Sequence, residues 1–219
     1  MTRSRRTRGF STAEVLVGSA LSLVVLSAVS SFFRAQQSAH AVTTAYSQSQ
    51  TVTRTVVDLM TRELRMATYD PSGAALTLSG PPNCPGVRQG IVEATPTRIR
   101  FKQDLDGNGA TTGTAEDVTY DVSGTQIRRT DGANAAQPIV DNVPTNGLKL
   151  QYFDSANPPN ELVPAGNPAA LTAAQRDCVA KVRVTITANV TNPNPRISTP
   201  LASTAESEVA IRNRSLSNF

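Results

Sequence analysis

The chain has 219 residues, 39% of them hydrophobic, with no Trp, one His and a formal charge of +4. Arg3, Arg5, Arg6 and Arg8 carry that excess: taking those four from the 21 basic residues leaves 17, equal to the 17 acidic ones. A nucleic-acid footprint needs Lys and Arg clustered on a folded surface, so a basic tail on a neutral body excludes that class. The size and the Gly, Pro, Ser, Thr and Asn after residue 70 predict a modest β-rich domain plus an extra segment, not a large α/β enzyme.

Immediately after the arginines come Gly9 and Phe10, and then an apolar run. Val15 to Phe33 is a stretch of 19 residues without a charge, enough to cross a hydrocarbon core of about 30 Å as a helix. Basic residues ahead of such a run hold its N-terminal end in the cytoplasm, which places everything after Phe33 on the other side.

Glu14 stands at the head of this run, where a carboxylate costs about 2.5–3.5 kcal/mol on the lenient insertion scale. A cation would offset that cost. A cut between Gly9 and Phe10 creates one, a free ammonium four residues away, and the ammonium of a staggered neighbouring copy could meet Glu14 in a low-dielectric bundle.

Arg8-Gly9-Phe10-Ser11-Thr12-Ala13-Glu14 with the apolar helix behind it resembles the class III signal of the prepilin family. The resemblance implies a membrane peptidase that cuts after Gly9, N-methylation of Phe10, and pairing of Glu14 with the first residue of an adjacent subunit. Two rival readings share the segment. Ser4-Arg5-Arg6 with Ala39-His40-Ala41 resembles a twin-arginine signal and its cleavage site, and the run also serves as a plain single-span anchor. Against secretion, Glu14 interrupts the start of the run, and the run exceeds the usual 7–15 residues or so of a signal core.

No Gly or Pro occurs from Arg34 to Thr68. Val42, Tyr46, Val52, Val56, Leu59, Met60, Leu64 and Ala67 recur at near-helical spacing and predict one apolar stripe, opposite Arg54, Asp58, Arg62 and Arg65. An unbroken helix from Phe10 to Thr68 is about 88 Å long, and Asp70-Pro71-Ser72-Gly73 stops it. Leu59 to Ala67 resembles the helix end of PilW-type minor pilins and of J-type pseudopilins of type II secretion. Major pilins commonly carry Pro at the place of Ser31, so this departure favours a minor subunit.

Short alternating runs then predict strands at Ala74–Ser79, Ile91–Ala94, Thr97–Gln103, Asp117–Val122, Thr125–Thr130, Leu148–Asp154, Val179–Val190 and Ser207–Arg212. Val122-Ser123-Gly124-Thr125 reads as a hairpin turn. Glu208 to Arg214 resembles the last strand of PilW-type proteins. The expected fold is α+β and type IV pilin-like, a long N-terminal helix against antiparallel sheet, divided as leader 1–9, membrane or filament-core helix 10–33, amphipathic continuation 34–68 and globular domain 69–219.

Cys84 and Cys178 lack CxxC spacing, and a single His leaves no Cys/His metal site. In an oxidising compartment they form one disulfide, removing roughly 4–5 kcal/mol of unfolded-state entropy on the simple loop model; the bland alternative is two buried thiols. Asp104-Leu105-Asp106-Gly107-Asn108-Gly109 begins like an EF-hand loop, but position 115 is Ala and Glu116 comes one place late. Two readings stay open: a β–β connection in which Asp, Asn and Gly supply turn geometry, or a non-EF calcium site of Asp104, Asp106, Asn108 and Glu116 or Asp117.

No catalytic set is nominated. His40 lies on a polar helical stretch, and no GxSxG, phosphate loop or HExxH is present. The resemblance implies a non-enzymatic minor pilin that joins other minor and major pilins at the pilus tip and helps prime assembly. It would depend on prepilin peptidase and the inner-membrane assembly platform, with a tip adhesin as a further partner. Before assembly it would sit in the bacterial inner membrane with a periplasmic domain. A J-type pseudopilin and a periplasmic binding or enzymatic domain on one anchor are the alternatives.

Overall fold

In the computed structural model the described residues are 9–82, 84–193, 197 and 199–213. The leader arginines Arg3, Arg5, Arg6 and Arg8, and Arg214 of the C-terminal segment, lie outside them. The chain divides into two compact units, residues 1–45 with 192–198, and residues 46–191 with 199–219. The architecture is α+β, a long N-terminal helix followed by antiparallel sheets.

Helix α1 runs Thr12–Met66, 55 residues. It starts two residues later than the apolar pattern predicts because Ser11 caps it, as described below. It ends where Thr68 takes a positive φ of 66° and turns its N–H away from the helix to the Lys102 carbonyl at 3.0 Å. Continuity through Ser31 agrees with the absence of Pro there: the Ser31 hydroxyl donates to the Ser27 carbonyl one turn back at 2.9 Å.

In the first unit α1 carries an 18-residue window of mean hydropathy 2.1, none of it buried. The helix is long and apolar enough to cross a membrane. The hydroxyls of Ser19, Ser22 and Ser27 do not oppose that, since each also donates to a carbonyl three or four residues back and so is met within the helix.

In the second unit the remainder of α1 packs on two sheets. One is a five-stranded antiparallel meander of β3 (Ile91–Ala94), β4 (Ile99–Lys102), β5 (Asp117–Ser123), β6 (Gln126–Asp131) and β7 (Gln137–Val140), in that order. The other has the order β11-β10-β8-β9, from β8 (Leu148–Phe153), β9 (Glu161–Leu162), β10 (Lys181–Val190) and β11 (Leu201–Ala210). A short ribbon, β1 (Leu78–Ser79) with β2 (Val87–Arg88), and a six-residue helix α2 (Ala173–Cys178) complete it. The alternation read in β10 is the observed one: Val182, Val184, Ile186 and Ala188 are buried and the residues between them are not. They share one core with Val56, Val57, Met60, Leu64, Phe101, Val118, Tyr120 and Tyr152.

Several boundaries differ from the sequence reading, each for a local reason. The buried face of α1 enters the domain through Ser49 and Thr53, not Tyr46 and Val52, which are 40% and 45% exposed. Stepping back from Val56 by three and four lands on those hydroxyl residues, and Thr53 meets the Ser203 hydroxyl of β11 at 3.2 Å. The strand expected at Ala74–Ser79 shrinks to β1, because the Asp70 carboxylate accepts the Gly73 and Leu76 N–H groups and curls the chain. The last strand begins at Leu201, not Ser207, since β11 matches β10 residue for residue from Val190↔Leu201 to Lys181↔Ala210. Sequence Leu-Ala-Ser-Thr-Ala-Glu lacks the large apolar alternation that signals a strand. The hairpin turn lies one residue later than read, because Ser123 still pairs with Gln126 and leaves Gly124 and Thr125 as the loop; Gly124 takes a φ of 60°, which suits Gly at this position of a tight turn.

Candidate functional site: the N-terminal cap and the carboxylate loop

Three sets of residues singled out by the sequence have defined surroundings. The first is the head of α1. Gly9, Phe10 and Ser11 precede the helix, Phe10 is 88% exposed, and a side chain at Gly9 would meet nothing within 4 Å. The Gly9–Phe10 bond therefore lies in open, non-helical chain. Ser11 and Glu14 form a reciprocal cap. The Ser11 hydroxyl accepts the Glu14 N–H at 3.2 Å, and Glu14 Oε2 accepts the Ser11 N–H at 2.9 Å. This S-x-x-E arrangement satisfies two of the orphan donors of a helix start, and it places an anion where the helix dipole favours one. The signature is legible in the sequence as Ser11-Thr12-Ala13-Glu14, although the charge of Glu14 by itself points to an ammonium and not to the helix's own N–H groups.

The second set is the loop between β4 and β5. Asp104, Asp106 and Glu116 each bring a carboxylate oxygen within 4.8 Å of the others; Asp104 and Glu116 are buried and Asp106 is exposed. Their oxygens already organise main chain. Asp104 accepts the N–H groups of Gly107 at 2.7 Å and Gly109 at 3.0 Å, and the Ser72 hydroxyl at 3.2 Å. Glu116 accepts N–H groups of Leu105 at 2.8 Å, Asp106 at 3.3 Å and Gly113 at 2.6 Å. Gly113 is required by this approach, since a Cβ there would lie 2.5 Å from Glu116 Oε2. Asp106 accepts the N–H and the side-chain amide of Asn108, and the side-chain Oδ1 of Asn108 accepts the Ala110 N–H. This is the turn chemistry of Asx residues. The three grouped carboxylates are also oxygen donors of the kind a hard cation takes. Asp117 stands apart from them: Arg100 grips it with two hydrogen bonds of 2.8 and 2.7 Å, and that contact, followed by the nearby positive charges, outweighs burial and holds its carboxyl below the usual range.

The third set is a disulfide and a buried ion pair. Cys84 and Cys178 are joined as a disulfide with Cα atoms 5.6 Å apart, closing a separation of 94 residues. The bond ties the loop before β2 to α2, with Val87 and Leu162 packed around it. Close by in sequence, Arg88 of β2 pairs with the buried Asp70 carboxylate. Burial alone would raise the Asp70 carboxyl, but the Leu76 N–H, the Ser72 hydroxyl, Arg88 and the Gly73 N–H together hold it below its ordinary value. His40 is an exposed residue of α1.

Sequence reasoning did not find the ion-pair network inside the second unit. Tyr120 of β5 donates its hydroxyl to Glu63 at 2.6 Å, and Arg129 of β6 donates to both Glu63 oxygens at 3.1 Å. Partners 57 and 66 residues away in sequence leave no local signal.

No protein-family model, curated protein or solved structure matches the chain. Its class rests on architecture: a long apolar N-terminal helix packed, over its later turns, with antiparallel sheets, which is a pilin-like arrangement. The bare apolar first half, with the disulfide of the globular part, is consistent with a membrane-anchored protein of this kind.

Proposed function

We propose that this chain is a minor pilin: a prepilin cut between Gly9 and Phe10, N-methylated on Phe10, and built with other minor and major pilins into a tip complex that primes a type IV pilus. The observation that carries this reading is the head of α1, where an open Gly9–Phe10 bond precedes an exposed Glu14 and a wholly unburied apolar helix. The bare helix supplies the segment that a membrane holds first and a bundle of sibling helices later. The carboxylate supplies an anion that an incoming ammonium would neutralise when water is excluded. In this reading prepilin peptidase and the inner-membrane assembly platform are partners, a tip adhesin is a further one, and the chain is not an enzyme. The globular part is periplasmic until assembly, and the minor pilin proposed is one of the PilW type.

Mass spectrometry of the N-terminus tests the proposal. N-methyl-Phe10 is expected. A terminus at Val42 would make the chain a secreted protein, and an uncut Met1 would make it a single-span anchor. Deletion of the gene then separates a pilus subunit, whose loss abolishes pili, from a J-type pseudopilin, whose loss blocks secretion.

A further inference from the structure

One edge of the four-stranded sheet is unmet. The order β11-β10-β8-β9 leaves β11 outermost, and its ten residues pair with β10 without a bulge. Just beyond it the Ile211 N–H donates to the Ala180 carbonyl at 2.9 Å. Bonded positions alternate along an antiparallel ladder, so counting back by twos turns the main-chain groups of the odd-numbered residues of β11 onto β10. The N–H and C=O groups of Ala202, Thr204, Glu206, Glu208 and Ala210 then point the other way. These five residues are exposed, and among the described residues no hydrogen bond meets their outward groups. Natural edges are usually blunted by Pro, a bulge or an inward-pointing charge; β11 has none of the three.

We propose that β11 is a docking edge for an extended segment of a partner protein that carries Lys or Arg at alternate positions. This concerns the globular part and goes beyond the minor-pilin reading, since it holds however the N-terminus is processed. The cations that serve Glu206 and Glu208 lie on the β10 side. Arg183 is shared between them, at 3.7 Å from Glu206 and 3.0 Å from Glu208, and Lys181 lies 3.6 Å from Glu208. The Glu206 side chain stays 56% exposed. A strand added antiparallel on the open side brings its bonded residues to about 5.5 Å from Glu206 and Glu208, Cα to Cα. Cations at those two places continue the alternation of charge across the sheet. Main-chain hydrogen bonds supply the affinity of such an addition and the alternate side chains its selectivity. A second copy of β11 is the poorer fit, because pairing centred on Glu206 sets the glutamates of two copies side by side.

The full chain in neutral detergent tests this, with the acetylated heptapeptide Thr-Lys-Val-Lys-Val-Lys-Thr as probe and amide hydrogen exchange as readout. In the free chain the Thr204, Glu206 and Glu208 amides are expected to exchange faster than those of Ala205 and Ser207, which β10 holds. The probe should slow the first set and leave the second unchanged. Fluorescence anisotropy of labelled probe then gives its affinity. Glu206→Gln with Glu208→Gln is expected to weaken binding about fivefold, the loss of two cross-strand charge pairs. Thr204→Pro removes an outward N–H and no bond to β10, and should weaken it as much; if that chain does not unfold cooperatively, the Gln pair alone decides. No binding of the probe, equal binding of a probe with Glu in place of Lys, or an affinity unchanged in the folded variants overturns the proposal. So does protection of the same three amides that grows with the concentration of the chain alone, which assigns the edge to a second copy.

Discussion

The Tyr120 hydroxyl donates to Glu63 at 2.6 Å, joining the last turn of α1 to the middle strand of the five-stranded sheet. Tyr120 is fully buried, and its desolvation, followed by the charge of Glu63 and the hydrogen bond to it, pushes the phenol well above its ordinary pKa, so it stays a donor at any working pH. Hydrogen bonds to charged groups contribute about 1.5–3 kcal/mol. Tyr120→Phe is therefore expected to destabilise the chain by about 2 kcal/mol, read as a lower denaturant midpoint at unchanged m-value. Glu63 keeps Arg129 in this variant, so cooperative unfolding should persist; a midpoint equal to the parent's would remove the network from the account of stability.

Two apolar residues of α1 that look alike in sequence should behave differently. Leu64 is fully buried in the shared core, whereas Val52 is 45% exposed. Leu64→Ala is expected to cost about 2–5 kcal/mol through lost burial and the cavity left behind. Val52→Ala is expected to stay within about 0.5 kcal/mol, as surface changes do. Thermal unfolding of the full chain in detergent checks both, and comparable losses at the two positions would contradict the packing described.

Acid should weaken the second unit in a defined window. Asp70 and Asp117 both have carboxyls held below the ordinary aspartate value of 3.8. A carboxyl depressed in the folded state binds fewer protons there than in the unfolded chain at intermediate pH, so its stabilisation is complete above the unfolded value and declines as pH falls through the folded one. Stability is expected to be flat from neutral pH to about pH 5 and to fall below about pH 4. Asp70→Asn should flatten that acid limb, and denaturation midpoints at successive pH values would expose a limb that the substitution leaves unchanged.

The carboxylate loop admits a direct test of its two readings. If Asp104 and Glu116 serve the turn, each through the N–H groups it accepts, then Asp104→Ala costs about 1–3 kcal/mol from the donors left unmet. That loss should be the same with millimolar calcium or with chelator, and this is the outcome we expect. A melting temperature of the parent that rises with calcium, and does not rise in Asp104→Ala, would assign the loop to a cation.

Where local rules act, residues and structure agree closely. Glu14 and the uncharged Val15–Phe33 run declare a helix fit for a membrane, because length and composition alone decide that. The period-2 pattern of Val182 to Ala188 declares a half-buried strand, because alternate side chains take opposite faces. Even the cap that moves the helix start to Thr12 is written in Ser11 and Glu14 at the right spacing.

What tertiary structure alone decided involves partners distant in the chain. The hydroxyl seam of Thr53 with Ser203 spans 150 residues, and only the fold makes a polar entry to the core better than Val52. β11 is a strand because β10 offers it ten paired positions, not because Leu201–Ala210 resembles one. The choice of Arg100 for Asp117, leaving Asp104, Asp106 and Glu116 as the group that converges, likewise follows from pairing β4 with β5. Periodicity reports which face of an element is apolar; which residues meet across that face depends on loop closures and sheet registers that no single segment encodes.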